Sequence, residues 1–266
     1  GMFMATQPAG MVPVHVLIWG TIGMGFAMAS SAVINHVMDK KIDIMMARTE
    51  SRPVATGKID PQKAMLFAAV LSIISMLILD VFINRLTALL TFFGIVGYAF
   101  VYTMYLKRST AQNIVIGGLA GAIPPLLGWT AVTNELHPHA FLLVLIIYVW
   151  TPPHFWALAI HRRDEYAKAG IPMLPVTHGI DYTKTHIVFY TILLLLVTAL
   201  PFALKMSGLI YLVSSSILGL VFLYHTLKLK YKPNPKSAMQ TFGYSIQYLF
   251  ILFIVLLIDH YYFYQA

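Results

Sequence analysis

Residues 12–55 read VPVHVLIWGTIGMGFAMASSAVINHVMDKKIDIMMARTESRPVA, and the change of character at Asn35 governs how the chain is read. The apolar run 12–34 is long enough to cross ~30 Å of hydrocarbon at 1.5 Å per residue. Asn35, Asp39 and Asp43 then follow at intervals of four, beside Arg48 and Arg52. If the helix continues through them, the three oxygen-bearing side chains drift only about 80° around the axis over ~12 Å and share one face. Two carboxylates and an amide oxygen are hard ligands, suited to a Mg²⁺ that keeps several waters and takes its remaining ligands from a phosphorylated substrate. A solvated helix end, with Asp39 paired to Lys40 or Lys41, fits the same spacing. The membrane boundary tells against that blander reading, because ionisable groups there cost free energy without a partner or a cavity. Arg48 and Arg52 suit phosphate oxygens as forked donors, and equally suit lipid headgroups.

The rest of the chain has the same character. Of its 266 residues 59% are hydrophobic and 11% charged, with a mean hydropathy of +0.76, which leaves too little polar surface for a water-soluble domain. Further apolar runs at 64–83, 86–106, 113–133, 140–160, 186–204, 208–227 and 241–258 lack the alternation of barrel strands. The expected fold class is therefore all-α, a polytopic transmembrane bundle with eight full spans. Sixteen of the 18 Lys and Arg residues fall on one side of it, leaving Arg85 and Lys205 on the other, so the basic loops are assigned to the cytoplasmic or matrix face. The same bias accounts for the net charge of +8 without nucleic acid, since basic residues here record topology and attraction to anionic lipid. Cysteine is absent, which excludes disulfides, thiolate metal sites and cysteine nucleophiles. The opening GMFMATQPAG lacks the pattern of a signal peptide and is expected to reflect processing or a fragment.

Two further blocks carry polar chemistry. In TPPHFWALAIHRRDEYAKAGIPMLPV (151–176), Asp164 and Glu165 could complete a second oxygen-ligand site facing the first, or simply end a charged helix. His154 follows Pro152-Pro153, which could turn it into a cavity as an axial or propionate contact, or leave it a hydrogen-bonded core histidine. In YTMYLKRSTAQN (102–113), Lys107 and Arg108 read either as a topology signal or as a diphosphate clamp. Gly117 and Gly121 have the small-xxx-small spacing of close helix packing, before Pro124-Pro125. Trp129, Tyr148, Trp150, Phe155 and Trp156 could shield a carbocation, or serve core and interface. Asp80 and Arg85 are expected to form a boundary ion pair. Acids and bases mixed at the mouth of a lipid-opening cavity suggest a metal-bridged diphosphate on an apolar tail.

These blocks, in this order, resemble the UbiA superfamily of intramembrane prenyltransferases, and within it the heme O synthase family, over essentially the whole chain. The resemblance implies nine transmembrane helices around a central cavity, one prenyltransferase domain over 1–266, a divalent cation (Mg²⁺), and heme B and farnesyl diphosphate as substrates in the lipid bilayer. It further implies association with heme A synthase or terminal-oxidase assembly. Carried over by residue, Asn35, Asp39 and Asp43 would be the first metal-diphosphate motif and catalytic centre. Arg48, Arg52, Lys107 and Arg108 would contact diphosphate, Asp164 would join the second metal motif, and His154 would contact heme. The chain departs from the family in lacking its first span, of which GMFMA looks like the tail, so an N-terminal truncation is expected. The second block also lacks the spaced aspartate pair usual in the superfamily. Rival readings are another polyprenyltransferase acting on a quinone or tetrapyrrole, a cation transporter, and an oxidase assembly factor.

Overall fold

The computed structural model describes residues 1–6, 10–47, 49–99 and 109–263, and all the regular secondary structure in them is helical. The principal segments are α1 (Val14–Met38), α2 (Pro61–Phe82), α3 (Arg85–Val96), α4 (Asn113–Ala122), α5 (Pro124–Thr133), α6 (Pro138–His161), α7 (Ile180–Ala203), α8 (Leu209–Tyr231) and α9 (Ser237–Phe263). Among the described residues seven stretches are long and apolar enough to cross a membrane: α1, α2, α4 with α5, α6, α7, α8 and nearly all of α9. Eight full spans and the tail of a ninth were expected. The run 86–106 makes the difference, because its described part is the shorter helical stretch Arg85–Ala99, which widens into a π-type turn at 97–99, and 100–106 lie outside the described residues. Met2–Ala5, expected to close an earlier span, is a single helical turn whose Met4 is buried in the core.

Large apolar side chains point outward as well as inward: Leu66 and Phe250 are each 68% exposed. In water such a surface would aggregate, whereas in lipid it is the ordinary outer face of an integral, multi-pass protein. Inside, helices associate through close packing and hydroxyl bonds rather than hydrophobic burial. Ser30 donates to the Ala68 carbonyl at 2.8 Å and Ser75 to that of Gly23 at 2.7 Å, tying α1 to α2. A Cβ on Gly23 would lie 2.7 Å from Leu79 Cδ2, so only glycine lets these two helices approach so closely.

Helix α6 packs against α4, α5, α7 and α9. Its prolines Pro152 and Pro153 lie within a continuous helix. Helices α1, α2 and α3 form a second group, joined to the first where Asn84 caps α3 and donates to the Thr130 carbonyl of α5, both at 2.8 Å. That cap replaces the expected ion pair: Asp80 and Arg85 are both exposed and form no salt bridge with each other. A cavity is left between the groups.

One buried charge lies far from that cavity. Asp259 of α9, fully buried, accepts from the backbone N–H of Gly208 and from that of Tyr211 at 3.1 Å, capping α8 from a neighbouring helix. Charge-assisted bonds to orphan helix-start donors are the favourable place for a buried carboxylate. Asp259→Ala should therefore destabilise the fold by about 2–3 kcal/mol, measured as a lower unfolding midpoint in detergent, with substrate KM values unchanged.

Candidate active site

Helix α1 ends at Met38, and Asp39 leaves helical geometry at φ −93°, ψ 6° before the short helix Lys40–Asp43 begins. The helical bonding that matters survives this break. The Asp39 N–H donates to the Asn35 carbonyl at 2.9 Å and the Asp43 N–H to the Asp39 carbonyl at 2.8 Å, so two successive i→i−4 bonds join the three expected ligand residues. Asp39 is 1% and Asp43 3% exposed. The chain then turns back through Thr49, whose hydroxyl donates to the Asp43 carbonyl at 3.1 Å. Arg52 is thereby placed over Asp43, its Nη1 donating to both carboxylate oxygens at 3.0 and 2.9 Å. Among the described residues only one guanidinium nitrogen is committed, which leaves Nε and Nη2 as further donors.

Two cavity lobes border this group, and a third adjoins them at Tyr98. The largest, about 370 Å³, runs from Asn35, His36 and Arg52 down between α1, α3, α4 and α5 to Ala27, Thr91 and Leu127, and is mostly apolar. A second, about 250 Å³, is polar and lies between Asp43, Thr49 and Arg52 on one side and Tyr166, Ile171 and Met173 on the other. The third, about 190 Å³, lies between Gly117, Gly118 and Gly121 of α4 and Trp150, Thr151 and Phe155 of α6. The first and second blocks of the sequence thus do face each other. Ile42 and Met46 belong to one buried cluster with Ile171, Met173 and Leu174, which holds the two loops together.

The polar side chain that the second block brings to this lobe is Tyr166, beside the apolar Phe155, Ile171 and Met173; Asp164 is not brought there. The Asp164 side chain is 89% exposed, 3.9 Å from Arg163, because a new helix with its own phase begins at Arg163, after Arg162 at φ −105°, ψ 24°. Glu165 has one buried oxygen with no hydrogen-bond partner among the described residues and lines none of the three lobes. His154 lines none of the lobes described above. Its ring lies between Trp150 (centroids 4.2 Å) and Phe242 (4.6 Å). Ser245 donates its hydroxyl proton to the Phe242 carbonyl at 2.6 Å, so the 2.7 Å contact between Ser245 and His154 Nδ1 has the imidazole as donor. Of the aromatic candidates, Trp150 and Phe155 reach a lobe. Trp129 instead stacks on His137, Trp156 is enclosed with Tyr190, and Tyr148 packs against the main core. Arg48, Lys107 and Arg108 lie outside the described residues.

Sequence reading overlooked Tyr98, which borders all three lobes; its sole signal is a tyrosine just before the YTMYLKR block. It also gave the close-packing role to Gly117 and Gly121 and passed over Gly118. A Cβ on Gly118 would meet Thr151 Cγ2 at 3.0 Å, making Gly118 the close-packing residue, whereas one on Gly121 would meet nothing within 4 Å.

The donor set suits a hard cation: the Asn35 Oδ1 is buried with no hydrogen-bond partner among the described residues, and the nearby carboxylates supply only oxygen. No group of three or more His, Cys, Asp or Glu among the described residues could hold an ion alone. That fits Mg²⁺, which binds through one or two carboxylates and completes its shell with water and phosphate oxygens.

Comparison with known proteins gives a consistent picture. A protoheme IX farnesyltransferase of Alcanivorax borkumensis is 64% identical over 261 residues, 98% of this chain and 86% of that protein. Protoheme IX farnesyltransferase 2 of Pseudoalteromonas atlantica is 61% identical over 246 residues, 92% of this chain and 81% of its own. Among solved structures, a digeranylgeranylglyceryl phosphate synthase superposes with a TM-score of 0.81 at 20% identity, covering 97% of this chain and 90% of that one. A UbiA homologue from Archaeoglobus fulgidus, bound to DMAPP and Mg²⁺, superposes at 0.66 with 18% identity, covering 96% and 91%. At such identities the structures establish the helical bundle alone. Residues 1–257 match the model of the UbiA prenyltransferase family, to which this chain belongs.

Proposed function

We propose that the chain, acting as one domain over 1–266, transfers the farnesyl group of farnesyl diphosphate to a vinyl group of heme B with addition of water, giving heme O and diphosphate. The observation that carries this reading is the 64% identity to a protoheme IX farnesyltransferase across 98% of the chain. The geometry supports it, because a long apolar lobe opens beside a buried cluster of oxygen ligands and a guanidinium, as a lipid-soluble diphosphate requires.

Asn35, Asp39 and Asp43 would hold Mg²⁺, which when bound offsets the charge of the departing diphosphate. Arg52 orients Asp43 with one nitrogen and offers its remaining donors to the diphosphate, joined there by Arg48, Lys107 and Arg108. The apolar lobe keeps water from the farnesyl chain while the allylic C–O bond ionises. The vinyl π electrons then form the new C–C bond, water captures the resulting cation, and its proton leaves to solvent. Asp164, which the family resemblance assigns to the second motif, is exposed, and Glu165 is the other acid of that block, with one buried oxygen. His154 packs on Trp150 from behind the wall; with Nδ1 turned to Ser245, Nε2 is the nitrogen through which it would contact heme. The basic loops and the cavity mouth are assigned to the cytoplasmic or matrix side by the 16 to 2 division of Lys and Arg. The product stays in the bilayer and would pass to heme A synthase or terminal-oxidase assembly.

Purified protein incubated with heme B, farnesyl diphosphate and Mg²⁺ should yield a more hydrophobic heme on chromatography, and none after chelation of the metal. Unchanged heme B in the complete mixture would overturn the proposal.

A further inference from the structure

Tyr98 is half-buried at the π-type turn that ends α3, and it walls the apolar, polar and glycine-lined lobes together. The apolar and polar lobes also share Asn35 and Arg52, so they form one continuous site for a donor's tail and its diphosphate. The third lobe touches neither of those residues. It meets the apolar lobe at Tyr98 and Gly121, and the polar lobe at Tyr98, Ile114 and Phe155. Tyr98 is the residue common to all three lobes, so it stands where the third lobe adjoins the site that holds the tail and the diphosphate.

Resting on the reading above, we infer that Tyr98 is a specificity-determining partition between the allylic donor and its acceptor, with the reacting edge of the heme entering the lobe bounded by Trp150, Thr151 and Phe155. At about 190 Å³ that lobe takes an edge and not a whole macrocycle. The ring of Tyr98 presents its face to the allylic carbon, where charge develops, and blocks water until the acceptor edge fills the other side. The uncoupled reaction it suppresses is hydrolysis: the C–O bond to diphosphate breaks, a water oxygen bonds to the same carbon, its proton leaves, and farnesol results.

Ile147 borders the third lobe and neither of the other two, which allows a selective test. It is half-buried, so Ile147→Phe adds bulk on the acceptor side alone. The KM for heme B should rise about tenfold, equivalent to about 1.4 kcal/mol, with the KM for farnesyl diphosphate nearly unchanged. Gly94 lines the apolar lobe alone and a Cβ there meets nothing within 4 Å, so Gly94→Leu should do the reverse. Tyr98→Ala should raise the ratio of farnesol to prenylated heme severalfold, and Tyr98→Phe, which keeps the ring, should not. A rise in the farnesyl diphosphate KM for Ile147→Phe would place the donor tail in the third lobe and overturn the assignment, as would an unchanged product ratio in Tyr98→Ala. If wild-type protein prenylates heme B while these variants fail to separate the two KM values, the partition is wrong and the activity stands. A wild type that makes no prenylated heme refutes the activity itself.

Discussion

Asp39→Ala is expected to lower heme farnesylation about 10³-fold or more while the protein still inserts and folds. Removing a carboxylate that holds a catalytic cation forfeits several kcal/mol of charge stabilisation in the transition state, and each 1.36 kcal/mol is a factor of ten in rate. Asp39 is 1% exposed, so Asp39→Asn is the sharper variant: it keeps the shape and deletes only the charge. Both should lose activity alike if charge is what matters. The hemes extracted from each reaction, separated chromatographically, give the rate, and the unfolding midpoint in detergent shows that the fold survives. Undiminished heme O from either variant would remove Asp39 from the metal site.

Much of this site could be read in the chain because polar residues in an apolar sequence are rare enough to stand out. Asn35, Asp39 and Asp43 are three such residues at a spacing that survives a break in the helix, since only the i→i−4 bonds linking them had to be kept. The facing of the first and second blocks was legible for the same reason. What sequence could not supply was rotational phase. In an amphipathic helix the apolar stripe marks the inner face, but α4 and α6 are apolar all round, so nothing along them distinguishes a side toward a neighbour, a cavity or lipid. The choice of Gly121 over Gly118 for close packing and the placement of His154 behind the wall follow from that missing phase. Asp164 differs: the backbone departure at Arg162 starts a new phase, which leaves that acid exposed. Hydropathy reads 86–106 as one run because a window average registers composition and not the change of pitch at 97–99.

The pairing of Arg52 with Asp43 gives the second large effect. Arg52→Ala leaves a carboxylate of 4% side-chain exposure without its guanidinium, and an orphaned buried charge of this kind costs about 3–5 kcal/mol of stability. Deleting both partners, in Asp43→Ala with Arg52→Ala, removes the orphan, so the double variant should be more stable than Arg52→Ala alone, with a coupling energy of about 1–3 kcal/mol in the thermal cycle. Activity should not follow stability. The double variant also lacks Asp43, a proposed metal ligand, so it reports on stability alone and should not regain transfer; Arg52 itself borders the lobes assigned to the diphosphate. Arg52→Lys separates the roles further: a point charge can neutralise Asp43 but lacks the planar fork that grips carboxylate and phosphate together, so it should restore most of the stability and little of the rate. If Arg52→Lys instead restores stability and rate together, Arg52 serves only to neutralise Asp43, and the diphosphate must find its cationic partners among Arg48, Lys107 and Arg108.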